Sequence, residues 1–88
     1  MPTVNTPITA AWTKIADASN TELLVTWTTE STVEFVTTTA DVAPVTTMMG
    51  HQLVNEDALT RGVIGSGFVW ARLVAGSHPP STRLVVTK

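Results

Sequence analysis

Two histidines, an acidic couple and a glycine-rich run are the residues of this chain whose types and spacing bear on chemistry. His51 and His78 sit in Gly-His-Gln and Ser-His-Pro contexts. An imidazole titrates near neutral pH and serves as acid, base or metal ligand, but each of these stands alone in a loop-like setting, where a histidine is ordinarily a solvated side chain. Glu56 and Asp57, preceded by Asn55, offer two carboxylates to a cation. Adjacent residues on a strand point to opposite faces, so the pair does not converge there, and the oxygen spacing of a calcium loop is missing. Gly62-Val63-Ile64-Gly65-Ser66-Gly67 has the look of a phosphate-cradling loop, yet its glycines run in the wrong order and a strand pattern follows where a helix N-terminus is needed. A β-turn accounts for it. Ser66 lacks the strand–turn–helix setting of a nucleophile elbow. With no cysteine there is no thiolate nucleophile, no disulfide framework and no Cys-based zinc site. The expectation is a protein that is no enzyme, with no cofactor and no metal.

Trp12, Trp27 and Trp70 remain. An aromatic ring serves either as a platform for a sugar or as core packing. Leu23, Val25 and Trp27 alternate onto one strand face, which assigns Trp27 to the core. Phe68, Trp70 and Arg72 share one face of a later strand, and Val69, Ala71 and Leu73 share the other. One small core does not take both faces, so the second needs a cover, of which a partner subunit is the simplest. Trp70 is therefore expected to be buried with its indole N–H paired, and Arg72 to pair with a carboxylate or carbonyl at the rim. The alternative, a ligand-binding module, rests on an exposed tryptophan beside a polar loop at His51, Gln52 and Asn55.

The elements that position these residues follow from composition. Eighty-eight residues form one domain. Threonine fills 17 positions and valine 12, and β-branched residues suit a pleated sheet better than a helix. The charged fraction of 14% is low against roughly 25% in ordinary soluble domains, leaving a hydroxyl-rich, charge-poor surface. The cations Lys14, Arg61, Arg72, Arg83 and Lys88, in a chain of net charge −2, do not make the basic stripe that nucleic acid requires. No apolar run reaches the ~20 residues of a membrane span, and no basic segment with an apolar stretch marks a signal peptide. The chain is expected to be made in a cytoplasm, or carried from there inside something assembled.

Strands are predicted over residues 8–16, with Ile8, Ala10 and Trp12 on one face, and over 22–29, 32–39, 68–74 and 82–87. Shorter strands are expected at 45–49 and 56–61, the latter in competition with one helical turn capped by Asn55. Asp17-Ala18-Ser19-Asn20 reads as a turn, Glu30-Ser31 as the closure of a tight hairpin lacking the usual glycine, and residues 76–81, with Pro79-Pro80, as a loop. Residues 1–7 read as an extended arm, since Pro2 and Pro7 fix φ and Val4 is its only internal apolar residue. The fold class expected is all-β: a small β-sandwich or partly open barrel of six to seven short antiparallel strands over residues 8–88.

A spaced series of segments carries a resemblance. Trp12-Thr13-Lys14-Ile15-Ala16-Asp17, Ala40-Asp41 with Pro44, Gly50-His51-Gln52-Leu53, Gly67-Phe68-Val69-Trp70-Ala71-Arg72 and Leu84-Val85-Val86-Thr87 together resemble the small all-β accessory proteins encoded among the structural genes of tailed bacteriophages. The resemblance spans nearly the whole chain and brings no catalytic motif. It implies a virion component, either a capsid decoration or cement protein or a fibre- or tail-associated module that attaches or binds a host-surface glycan or receptor. The partners it implies are phage capsid or tail proteins and further copies of the chain, a trimer favoured, with no nucleic acid and no membrane. An assembly interface is expected at Pro2, Val4, Pro7, Phe68, Trp70 and Arg72.

Overall fold

The computed structural model describes residues 2–74, 76 and 80–88; His78 and most of the predicted 76–81 loop lie outside the described residues. Eight strands and one helical turn follow in the order β1 (Thr3–Ile8), β2 (Thr13–Ala16), β3 (Leu24–Thr26), β4 (Val33–Thr38), β5 (His51–Leu53), β6 (Leu59–Thr60), α1 (Arg61–Ile64), β7 (Phe68–Leu73) and β8 (Thr82–Thr87). They form two four-stranded antiparallel sheets, β1-β8-β3-β6 and β2-β7-β4-β5. The chain is all-β, as its threonine and valine content predicts.

Alternation builds the core. Ile8, Val25, Leu59, Leu84 and Val86 of the first sheet join Ile15, Val33, Phe35, Val69, Ala71 and Leu73 of the second in one buried cluster. Burying such side chains contributes about 1.5–3 kcal/mol each, the main term opposing chain entropy. In β2 the register against β7 slips between Lys14 and Ala16. This bulge lets consecutive residues, Ile15 and Ala16, both face inward, which a regular strand forbids.

Several expectations are corrected. The arm does not exist as such: residues 3–8 are β1, paired residue for residue with β8 from Thr3↔Thr87 to Ile8↔Thr82. Pro7 is tolerated because β1 is an edge strand, with no second neighbour awaiting its missing N–H. The strand expected at 8–16 is two strands in different sheets. The chain crosses over at residues 9–12, leaving Ala10 exposed and Trp12 half-buried, and Leu73 N donates to Thr9 O at 2.8 Å to brace the crossing.

The tight hairpin at Glu30-Ser31 is also overturned. β3 pairs with β6 and β8, whereas β4 pairs with β5 and β7, so the chain arches from one sheet to the other. Trp27 fills the arch, 5.7 Å from the Phe35 ring, and donates its indole N–H to Ser31 O at 3.0 Å. The missing glycine at 30–31 was the local sign that no primed turn forms there.

Residues 45–49 form no strand; Met48 N donates to Val45 O in a turn. The 56–61 segment shortens to β6, and its helical turn begins at Arg61, after Thr60, instead of after Asn55. The Asp17–Asn20 turn forms as predicted: Asn20 N donates to Asp17 O, and Asp17 N to the Asn20 side-chain oxygen at 2.8 Å.

Candidate functional site

β7 is central in its sheet, flanked by β2 and β4, and its two faces differ. Val69, Ala71 and Leu73 enter the core, while Phe68, Trp70 and Arg72 lie on the outer face beside Lys14 of β2 and Glu34, Val36 and Thr38 of β4. Trp70 is nonetheless 8% exposed. The chain's own β4–β5 connection, residues 39–50, is tied down over this face, so the burial of Trp70 does not require the partner subunit inferred from the two-sided strand.

Arg72 fastens that cover. Its Nη1 donates to Thr46 O and its Nη2 to Met48 O, both at 2.7 Å, and its Nε to Glu34 Oε1 at 3.3 Å. Glu34 stands directly opposite Arg72 in the β4–β7 register, and its other oxygen accepts the Gly50 N–H at 2.9 Å. The two side chains are 8% and 14% exposed, so this is a buried ion pair with its hydrogen bonds satisfied. The guanidinium also lies over the Trp12 ring, 4.1 Å from its centroid, and Trp12 Nε1 donates to Val45 O at 3.2 Å.

At the other end Lys14 Nζ donates to both Asp41 oxygens, at 3.0 and 2.9 Å, and pairs with Asp17 at 2.9 Å, with the Phe68 ring 5.6 Å away. The hydrogen bond to Asp41, then that to Asp17, raises the Lys14 ammonium above its ordinary value. The same ammonium draws the Asp17 carboxyl below its own. Between these ends, Trp70 Nε1 donates to Thr38 Oγ1 at 2.9 Å, and that hydroxyl donates to Ala40 O at 2.7 Å. Trp70 and Arg72 thus meet the partners expected of them.

What sequence reasoning missed was Glu34 and the role of residues 39–50. A signal existed: Glu34 and Arg72 are each a charge set between two core residues, and opposite charges so placed must find one another or stay out of the sheet.

Gly50 explains the closeness of the cover. A Cβ at this position would stand 2.7 Å from Phe35 O, against strand backbone that has nowhere to move. Gly50→Ala is expected to destabilise the fold by about 1–3 kcal/mol, as overpacking does, measured by urea unfolding.

The fastened segment presents an apolar surface. Val42, Val45, Met48 and Met49 are all exposed, Val45 at 66% and Met49 at 83%. They are half of the eight large hydrophobic residues found exposed among the described residues, gathered on one loop whose backbone is tied down.

The other sequence candidates do not assemble. His51 and Gln52 are consecutive exposed residues of β5, opposite Phe35 and Glu34, and so face opposite sides. Asn55 follows in a turn where Val54 N donates to Asp57 Oδ2. Glu56 and Asp57 join no group of three or more metal-ligating residues among those described. Trp27 and Trp70 are buried, leaving Trp12 as the one half-exposed ring. Pro7 and Val4 are exposed on edge strand β1, with Pro2 just before it. No described helix is long and apolar enough to cross a membrane.

Fold and site together define a small all-β domain that displays a braced apolar loop. No family model, curated protein or solved structure matches this chain.

Proposed function

We propose that this chain is a non-enzymatic structural protein of a tailed-phage virion, a decoration or cement protein that stabilises the capsid. In this reading the two sheets pack face to face as a β-sandwich, supported by the single core cluster to which both contribute. The observation that carries the role is the loop of Val42, Val45, Met48 and Met49. Exposed apolar side chains are costly to a free monomer. Held by Arg72, Trp12 and Lys14, they are preorganised for a partner, so docking loses little further chain entropy. Methionine adapts its shape to the apolar pockets of a neighbour. Contact with the capsid lies through this loop, since the arm first assigned to it is a strand of the domain.

The test is binding to purified phage particles. Wild-type protein is expected to co-sediment with particles and to appear among their components by mass spectrometry. Val45→Asp with Met49→Asp should abolish co-sedimentation while leaving the unfolding midpoint within a few degrees, because both side chains already face water. Full occupancy by that double variant would remove the loop from the interface, and absence of the protein from particles would remove the virion role.

A further inference from the structure

Four of the five cations are consumed internally. Lys14 is paired with Asp17 and Asp41, Arg72 with Glu34. Lys88 Nζ donates to Ile15 O at 3.1 Å. Arg61 spends its guanidinium on the carbonyls of Asn20, Asp17, Gly65 and Gly67 at 2.7–3.0 Å, locking the 17–20 turn to the segment after α1. Arg83 is the exception: it is exposed, and its guanidinium makes no hydrogen bond or ion pair among the described residues.

Arg83 stands at a cleft of about 470 Å³, where the end of β1 and the start of β8 meet the arch after β3. Pro7 supplies its exposed apolar surface, and Thr9, Thr28, Thr29 and Ser81 its accessible hydroxyls, while Ile8 and Thr82, which also border it, are buried; no carboxylate lines it. Hydrogen-bonding capacity remains there. Thr29 and Thr82 share one bond with each other, and Thr29 donates to Ser31. Thr9 Oγ1 accepts from Ala11 N and keeps its own proton to give. Thr28 and Ser81 are exposed and have no hydrogen-bond partner among the described residues.

We propose that this cleft binds a carboxylated monosaccharide unit. The guanidinium takes the carboxylate through two parallel N–H···O bonds, the exposed threonine and serine hydroxyls exchange hydrogen bonds with ring hydroxyls, and the ring's apolar edge rests on Pro7. A lone inorganic anion uses one cation and leaves the hydroxyl row idle. The volume, within the ~300–1,000 Å³ of small-ligand sites, exceeds what such an ion fills. No residue of the cleft belongs to the 39–50 loop, so the inference stands independently of the capsid reading.

The experiment is a titration of the ¹⁵N-labelled full chain by NMR, with glucuronate, glucose, acetate and sulfate as separate probes. Glucuronate is expected to give saturable shifts at the amides of Thr28, Thr29, Ser81, Thr82 and Arg83. Glucose, lacking the charge, and acetate and sulfate, lacking the hydroxyls, should bind at least about tenfold more weakly. Arg83→Gln should weaken glucuronate by about tenfold or more, the scale of a lost charge-assisted hydrogen bond, with the spectrum elsewhere unchanged. Absence of saturable shifts with glucuronate, equal affinity for sulfate or acetate, or an unaltered response in Arg83→Gln would each overturn the proposal.

Discussion

Arg72→Met is expected to cost about 3–5 kcal/mol of stability, the loss typical when one partner of a buried ion pair is removed. The methionine keeps much of the aliphatic stem, so the loss comes from charge and hydrogen bonds. Glu34 is left as a buried carboxylate whose only remaining donor among the described residues is Gly50 N. The carbonyls of Thr46 and Met48 lose their donors, and the Trp12 ring loses the cation above it. Because those carbonyls fasten residues 39–50, the same variant should expose the loop to protease at concentrations that leave the wild type intact. Equilibrium urea unfolding gives the first quantity and limited proteolysis the second. Adding Glu34→Gln removes the stranded charge and should recover part of the loss, in a double-mutant cycle with a coupling well above the few tenths expected of independent sites. Additive single effects would show that the pair is not a unit.

Trp70→Ala is expected to cost about 3–5 kcal/mol, the range for deleting a buried large aromatic side chain. The indole lies in the centre of the outer face, with Lys14 opposite on β2 and Val36 on β4, and its N–H is held by Thr38. Removing it opens a cavity under the cover and leaves the Thr38 hydroxyl without its donor. A domain of this length has a total stability of roughly 4–13 kcal/mol at the usual ~0.05–0.15 per residue, so the variant should be largely unfolded or melt far below wild type by circular dichroism. Trp70→Phe keeps most of the buried area and loses one hydrogen bond, and should retain the fold with about 1–2 kcal/mol lost. A wild-type melting temperature in Trp70→Ala would show that the ring fills no gap.

These effects concentrate on one face because that face is both structure and display. The network holding the cover and the network presenting Val45 and Met49 are the same bonds, so under the proposed capsid role a lesion at Arg72 should weaken particle binding through the loop's loss of order as well as through stability. Val45→Asp with Met49→Asp separates the two, since it changes the displayed surface and leaves the fastening untouched.

The local facts were legible in the sequence. β-Branched composition made the chain all-β. Period-two alternation put Leu23, Val25 and Trp27 on one face and Trp27 in the core, and all three are buried. The same alternation, on a strand with two large-residue faces, required that Trp70 be covered with its N–H paired and that Arg72 find oxygen partners.

Only the tertiary structure decided which strands share a sheet and what provides the cover. Alternation defines a face but not a partner, so an arch between sheets and a hairpin within one look alike from residues 22–39. β1 pairs with the last strand, β8, and Arg72 reaches Glu34, Thr46 and Met48 across 38, 26 and 24 positions. Such contacts are chosen by the burial and pairing of the whole chain at once, and no local window of sequence contains both members of the pair.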